Sequence, residues 1–176
     1  NANEVIANRA LEIMGHEKGD YQYCHPNNHV NCSQSTNDAY PTAFRLALYA
    51  DLTNLMGHMR YIQDCFAHKG VEFSDVVKMG RTQLQDAVPM TLGQEFSAYA
   101  TTIGEDILRI EKNRKLLLEI NLGATAIGTG INAPSDYSRI VCNHLSNLIG
   151  FNVVTSDNLI EATWDTGSYV QISGVL

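Results

Sequence analysis

Leu92 to Leu117, LGQEFSAYATTIGEDILRIEKNRKLL, is the stretch whose reading decides the fold. Leu92, Phe96, Tyr99, Ile103, Ile107, Ile110 and then Leu117 recur at steps of three, four and seven, the period of one face of an α-helix. An uninterrupted helix of roughly 30 residues following Pro89 would be about 45 Å long. Gly104 weakens such a helix without breaking the stripe.

The pattern repeats upstream. Phe44, Leu48, Leu52, Leu55, Met59, Ile62 and Phe66 form a second long stripe. It is predicted to start at Pro41, whose missing N–H does no harm in a first turn, and to run to about His68, with Gly70 just beyond. Shorter helices are expected on Val5, Ile6, Arg9, Ala10, Ile13 and Met14, stopped by Gly15, and on Tyr137, Ile140, Val141, His144, Leu145 and Leu148, stopped by Gly150. A last helical segment, LIEATWDTGSYVQISGVL, has Asp157 as its expected cap. Residues 16–40 and 121–134 read as loops, and 71–88 as a short apolar piece followed by a polar turn. No segment alternates as a strand would. The fold class predicted is all-α, with long helices packed as a bundle.

Composition narrows the function. With 176 residues, 44% hydrophobic and 18% charged, the chain can bury one substantial core. A formal net charge of −7 argues against nucleic acid as the main partner, because a phosphate backbone needs a cationic face. It leaves open a small dianion, whose binding depends on local groups. Four cysteines without a CxxC pair favour a reducing, cytoplasmic setting. No apolar run reaches transmembrane length. The chain starts inside a helical pattern without an initiating methionine, so a fragment is expected.

Several polar runs carry chemistry. CHPNNHVNC, Cys24 to Cys32, is weighed as a zinc site and set aside: Cys24 and His25 are adjacent, so their side chains diverge, and Pro26 disfavours helix at His25. The run after it, SQSTNDAYPT, places the compact donors Ser33, Ser35, Thr36 and Asn37 ahead of a helix, where backbone N–H groups and the helix dipole suit a carboxylate. The competing reading is ordinary capping. GRTQLQDAVP, Gly80 to Pro89, repeats that grammar, with Arg81 placed to hold Asp86. GATAIGTG, Gly123 to Gly130, lacks the lysine and Ser/Thr of a phosphate loop and reads as a close-packed crossing.

HPNNHVNCSQSTNDAYPT, GRTQLQDAVPMTLGQEF and NLGATAIGTGIN together resemble the fumarase/aspartase superfamily, and the similarity extends from NEVIANRALE near the start to LIEAT near the end. The resemblance implies a partial central helical domain over 1–176, within a long helical bundle and a homotetramer whose sites draw on three subunits. It implies reversible elimination of ammonia from L-aspartate to give fumarate, without cofactor or metal. Ser35 and Thr36 would bind the carboxylate that gathers charge, Asn37 the amino group, and Thr82 and Gln83 the other end of the substrate. The family's serine base lies on a loop outside these residues, so the chain alone is expected to be inactive. Fumarate hydration is the rival activity. Fumarase-type sequences carry His where Gln83 stands. His25, Asn27 and Asn28 match a second dicarboxylate site of fumarases, written HPND there, from which Asn28 departs. A non-catalytic helical assembly is the third reading.

Overall fold

The computed structural model describes all residues, Asn1 to Leu176. In chain order the elements are α1 (Ala2–Met14), α2 (Thr36–Glu72), β1 (Val77–Thr82), β2 (Gln85–Thr91), α3 (Leu92–Arg114), β3 (Glu119–Ile120), α4 (Tyr137–Ile149), β4 (Val154–Thr155), α5 (Leu159–Trp164) and α6 (Gly167–Val175). They form two compact units, Asn1–Arg45 with Leu118–Asp165, and Leu46–Leu117 with Thr166–Leu176. Helices predominate, as the two long stripes require. None is long and apolar enough to cross a membrane.

The second unit holds the principal core. Leu52 and Met56 of α2, Ile107 and Ile110 of α3, Leu117 and Ile172 of α6 pack as one buried cluster. Helix α3 opens with a capping box, in which the Thr91 hydroxyl accepts from Gln94 N–H at 3.1 Å and the Gln94 side chain accepts from Thr91 N–H at 3.0 Å. It is shorter than its stripe. The α-helix ends at Arg114 and a 3-10 turn over Lys115–Leu118 carries Leu117 into the core.

Gly70 does not stop α2. The helix continues to Glu72, and Gly70 lies inside it, against Gly93 of α3. A Cβ on Gly93 would collide with the Gly70 carbonyl and with backbone of Phe73 and Ser74. The missing Cβ of Gly93 lets these backbones approach, while a Cβ on Gly70 would press on the Ser97 hydroxyl of α3. Beside them Phe66, Phe73, Phe96 and Tyr99 form a set of tilted rings with centroids 5.5–5.9 Å apart.

The expectation of no strands is corrected by the 77–91 segment, an antiparallel hairpin of β1 and β2. Met79 pairs with Pro89, and the register shifts at Gly80, as a bulge does. A proline and a glycine inside the strands mask the alternation a sequence reading looks for. The turn is a two-residue one with both residues left-handed, Gln83 at φ 49° and Leu84 at φ 63°. Arg81 and Asp86 face each other across it at 3.2 Å, as their spacing predicts.

In the first unit, Gly15 closes α1 in a left-handed conformation and Gly150 does the same for α4, as predicted. The buried side of α1 is Ala7 and Leu11, whereas Val5, Ile6, Ile13 and Met14 of the predicted stripe are exposed. The cap of α5 is Asn158 rather than Asp157. Its carboxamide oxygen accepts from the N–H groups of Ile160 and Glu161. The predicted last helix is divided, because Asp165 is extended between α5 and α6. A short parallel pairing of β3 with β4 also lies in this unit.

Candidate functional site

Helix α2 begins at Thr36, not at Pro41, and the reason defines the site. Ser35 caps the helix: its Oγ accepts from Asn37 N–H at 3.2 Å, and its carbonyl accepts from Asp38 and Ala39. Asp38 returns the bond by accepting from Ser35 N–H at 2.8 Å. Pro41 therefore falls inside the helix. Without an N–H it cannot bond the Asn37 carbonyl one turn back. The side-chain amide of Asn121 donates to that carbonyl instead, at 3.0 Å.

The connector rich in glycine and threonine is thus locked to the head of α2. Asp38 is fully buried, and its second oxygen accepts from the N–H groups of Gly123 at 3.2 Å and Thr125 at 2.9 Å. The Asn37 side chain donates through Nδ2 to the Ala126 carbonyl at 2.6 Å. Two glycines make the fit possible. A Cβ on Gly123 would collide with Ser138 of α4, and one on Gly128 with the backbone of α5 at Ile160. Both glycines and Thr125 are left-handed. The close-packed reading of GATAIGTG holds, with helices α4 and α5 as the surfaces met.

Around this turn the remaining polar groups are also fixed. Asn31 donates to the Gln34 carbonyl and accepts from the Asn3 side chain, tying the loop to α1. Burial pushes the Tyr137 phenol above its usual pKa, opposed by its hydrogen bond with Gln34 and reinforced by the nearby Asp38 charge. The phenol is therefore kept protonated. What the turn presents outward is a set of small polar side chains, the exposed Thr36 and Asn37 and the half-buried Ser35, at the positive end of a 37-residue helix.

His25, Asn27 and Asn28 share one turn, a single π-helical loop over Pro26–Val30. His25 caps it, Nδ1 accepting from the N–H groups of Asn27 at 3.0 Å and Asn28 at 3.3 Å. His29 Nδ1 accepts from His25 N–H at 2.7 Å. Both imidazoles are turned towards backbone of their own loop.

Thr82 and Gln83 are carried by the second unit, at the tip of the β1–β2 hairpin. Thr82 pairs with Gln85 and closes the turn, and Gln83 stands exposed at its first position. Left-handed backbone at two successive residues with side chains costs of order 1–3 kcal/mol each. Natural turns of this type avoid that cost with Asn-Gly. Leu84 beside it is 99% exposed. The turn leaves Gln83 and Leu84 projecting from the hairpin without packing.

The sequence alone does not single out Asp38 and Asn121. Asp38 had a local signal, since Ser35 and Asp38 have the spacing of a capping box. Asn121 had none, for its partner is 84 residues away.

The family model described as lyase matches residues 1–176, and the chain belongs to that family. It is 58% identical over its whole length to the aspartate ammonia-lyase of Helicobacter pylori (strain ATCC 700392 / 26695), 55% to that of Escherichia coli (strain K12) and 59% to that of Pseudomonas fluorescens. It spans 37–38% of the length of these relatives. Among solved structures it resembles a fumarate lyase:delta crystallin from Brucella melitensis bound to cobalt, with TM-score 0.92 and 53% identity over 99% of this chain and 38% of that one. It also resembles a recombinant class II fumarase from Schistosoma mansoni, with TM-score 0.89 and 30% identity over 98% of this chain and 40% of that one.

Proposed function

We propose that this chain is part of an aspartate ammonia-lyase, which eliminates ammonia from L-aspartate to give fumarate. The observation that carries this reading is the Ser35–Asn37 turn at the head of α2, with Thr36 and Asn37 exposed, in a chain 55–59% identical to aspartate ammonia-lyases. In the reaction a proton leaves the carbon beside the distal carboxylate, the electron pair forms the double bond, and the C–N bond breaks. Charge gathers on that carboxylate before ammonia departs. Hydroxyl donors from Ser35 and Thr36 stabilise it, and donors preorganised for developing charge are worth most where water is excluded. Asn37 takes the amino group, while Thr82 and Gln83 bind the other carboxylate. None of these residues is the base.

Sites of this kind are proposed to be shared among the subunits of a homotetramer, which would bring a hairpin tip and a helix head from different copies to one substrate. His25, Asn27 and Asn28 are the place for a second dicarboxylate. Fumarate hydration is the second reading, favoured by the likeness to the Schistosoma mansoni fumarase. The lower identity of that match and the presence of Gln83 weigh against it. In an assay of the full-length protein on L-aspartate, fumarate and ammonia should appear in equal amounts. Failure to release ammonia would overturn the proposal.

A further inference from the structure

The Asn37 amide has a fixed polarity. Its Nδ2 donates to the Ala126 carbonyl, and the reversed amide would set two acceptor oxygens against each other. The carboxamide oxygen is therefore the end left for a ligand, and it can only accept. An ammonium group, with three donors, suits an acceptor.

Holding that amide still requires holding its backbone, and Pro41 has removed the helical N–H that would do so. Asn121 supplies the substitute from the connector. Its own Oδ1 is buried without a protein partner, and the residue is 2% exposed. A buried amide satisfied at one end only is a poor choice for stability alone. Asn121 and the Ala126 carbonyl grip the same residue, one through its main chain and one through its side chain.

We propose that Asn121 is a positioning residue for the amino-group end of the site: through the Asn37 carbonyl it holds the Asn37 carboxamide oxygen as the acceptor for the substrate ammonium. The inference rests on the lyase reading above. It predicts an effect on nitrogen binding that spares carboxylate binding, because Ser35 and Thr36 are set by the cap and by Asp38.

The test is the reverse reaction of the full-length protein, fumarate plus ammonia, with Asn121→Leu, which keeps the volume and deletes the donor. The KM for ammonia should rise roughly tenfold, the equivalent of about 1.4 kcal/mol, while the KM for fumarate stays within about twofold. Equal rises in both constants, or no change in either, would overturn the proposal. Adding Pro41→Ala to Asn121→Leu restores an N–H one turn from the Asn37 carbonyl. This double variant should recover a near-normal KM for ammonia, and it serves by itself if Asn121→Leu does not fold. A folded double variant with the KM for ammonia still raised would contradict the proposal. Failure of the lyase reading shows elsewhere, as no ammonia-dependent loss of fumarate by the unmodified protein.

Discussion

Thr36→Val in the full-length protein should lower turnover of L-aspartate by about 10²–10³-fold, the usual loss when one donor to developing charge is removed. The substitution nearly conserves volume and β-branching, so the helix geometry should survive. Capping is also spared. Ser35 and Asp38 exchange the bonds at the head of α2, and neither bond uses the Thr36 side chain. Thermal stability should therefore stay within about 0.5 kcal/mol, as for surface changes away from special features. Ser35→Ala would be a poorer probe, because it removes a cap worth about 1 kcal/mol together with the donor. If Thr36→Val keeps near-normal turnover and melts earlier, Thr36 is structural and the assignment of the carboxylate donors fails.

Asp38→Ala should act in the opposite sense, on the fold first. The carboxylate is fully buried and accepts from the N–H groups of Ser35, Gly123 and Thr125. Deleting it leaves three buried or half-buried donors without that acceptor, and each such orphan costs about 1–3 kcal/mol. Water entering the vacated space offsets part of this, so a net loss of about 3–5 kcal/mol is expected, comparable to breaking a buried charged pair. Urea unfolding of the full-length protein would report it as a lower midpoint with an unchanged slope. A loss under about 1 kcal/mol would show that the connector is held by packing against α4 and α5 alone.

What the sequence disclosed follows from range. Stripes at helical spacing are local, so both long helices, the stops at Gly15 and Gly150, and the all-α class could be read directly. The polar turns at Ser35–Asn37 and Gly80–Pro89 could be singled out because small donors cluster there, whereas Thr82 and Gln83 are picked out within the second by the family resemblance. Pairings between distant segments could not. Pro41 is a helix-start signal by local rules, yet the helix begins at Thr36, because Asn121 replaces the missing bond from 84 residues away. Gly70 looks like a stop and is a packing glycine, because a Cβ there would meet Ser97 and Gly93 of another helix. The hairpin escaped because Gln83-Leu84 is not a turn-forming pair. Its left-handed backbone at two residues with side chains is the feature that sequence rules penalise.

Elimination of ammonia is distinguished from elimination of water by offering L-aspartate and L-malate separately to one preparation of the full-length protein and following fumarate. Rapid fumarate formation from L-aspartate, with matching ammonia and little from L-malate, is the predicted result. Fumarate from L-malate with none from L-aspartate would overturn the ammonia-lyase proposal and assign the same helix head and hairpin tip to a hydratase.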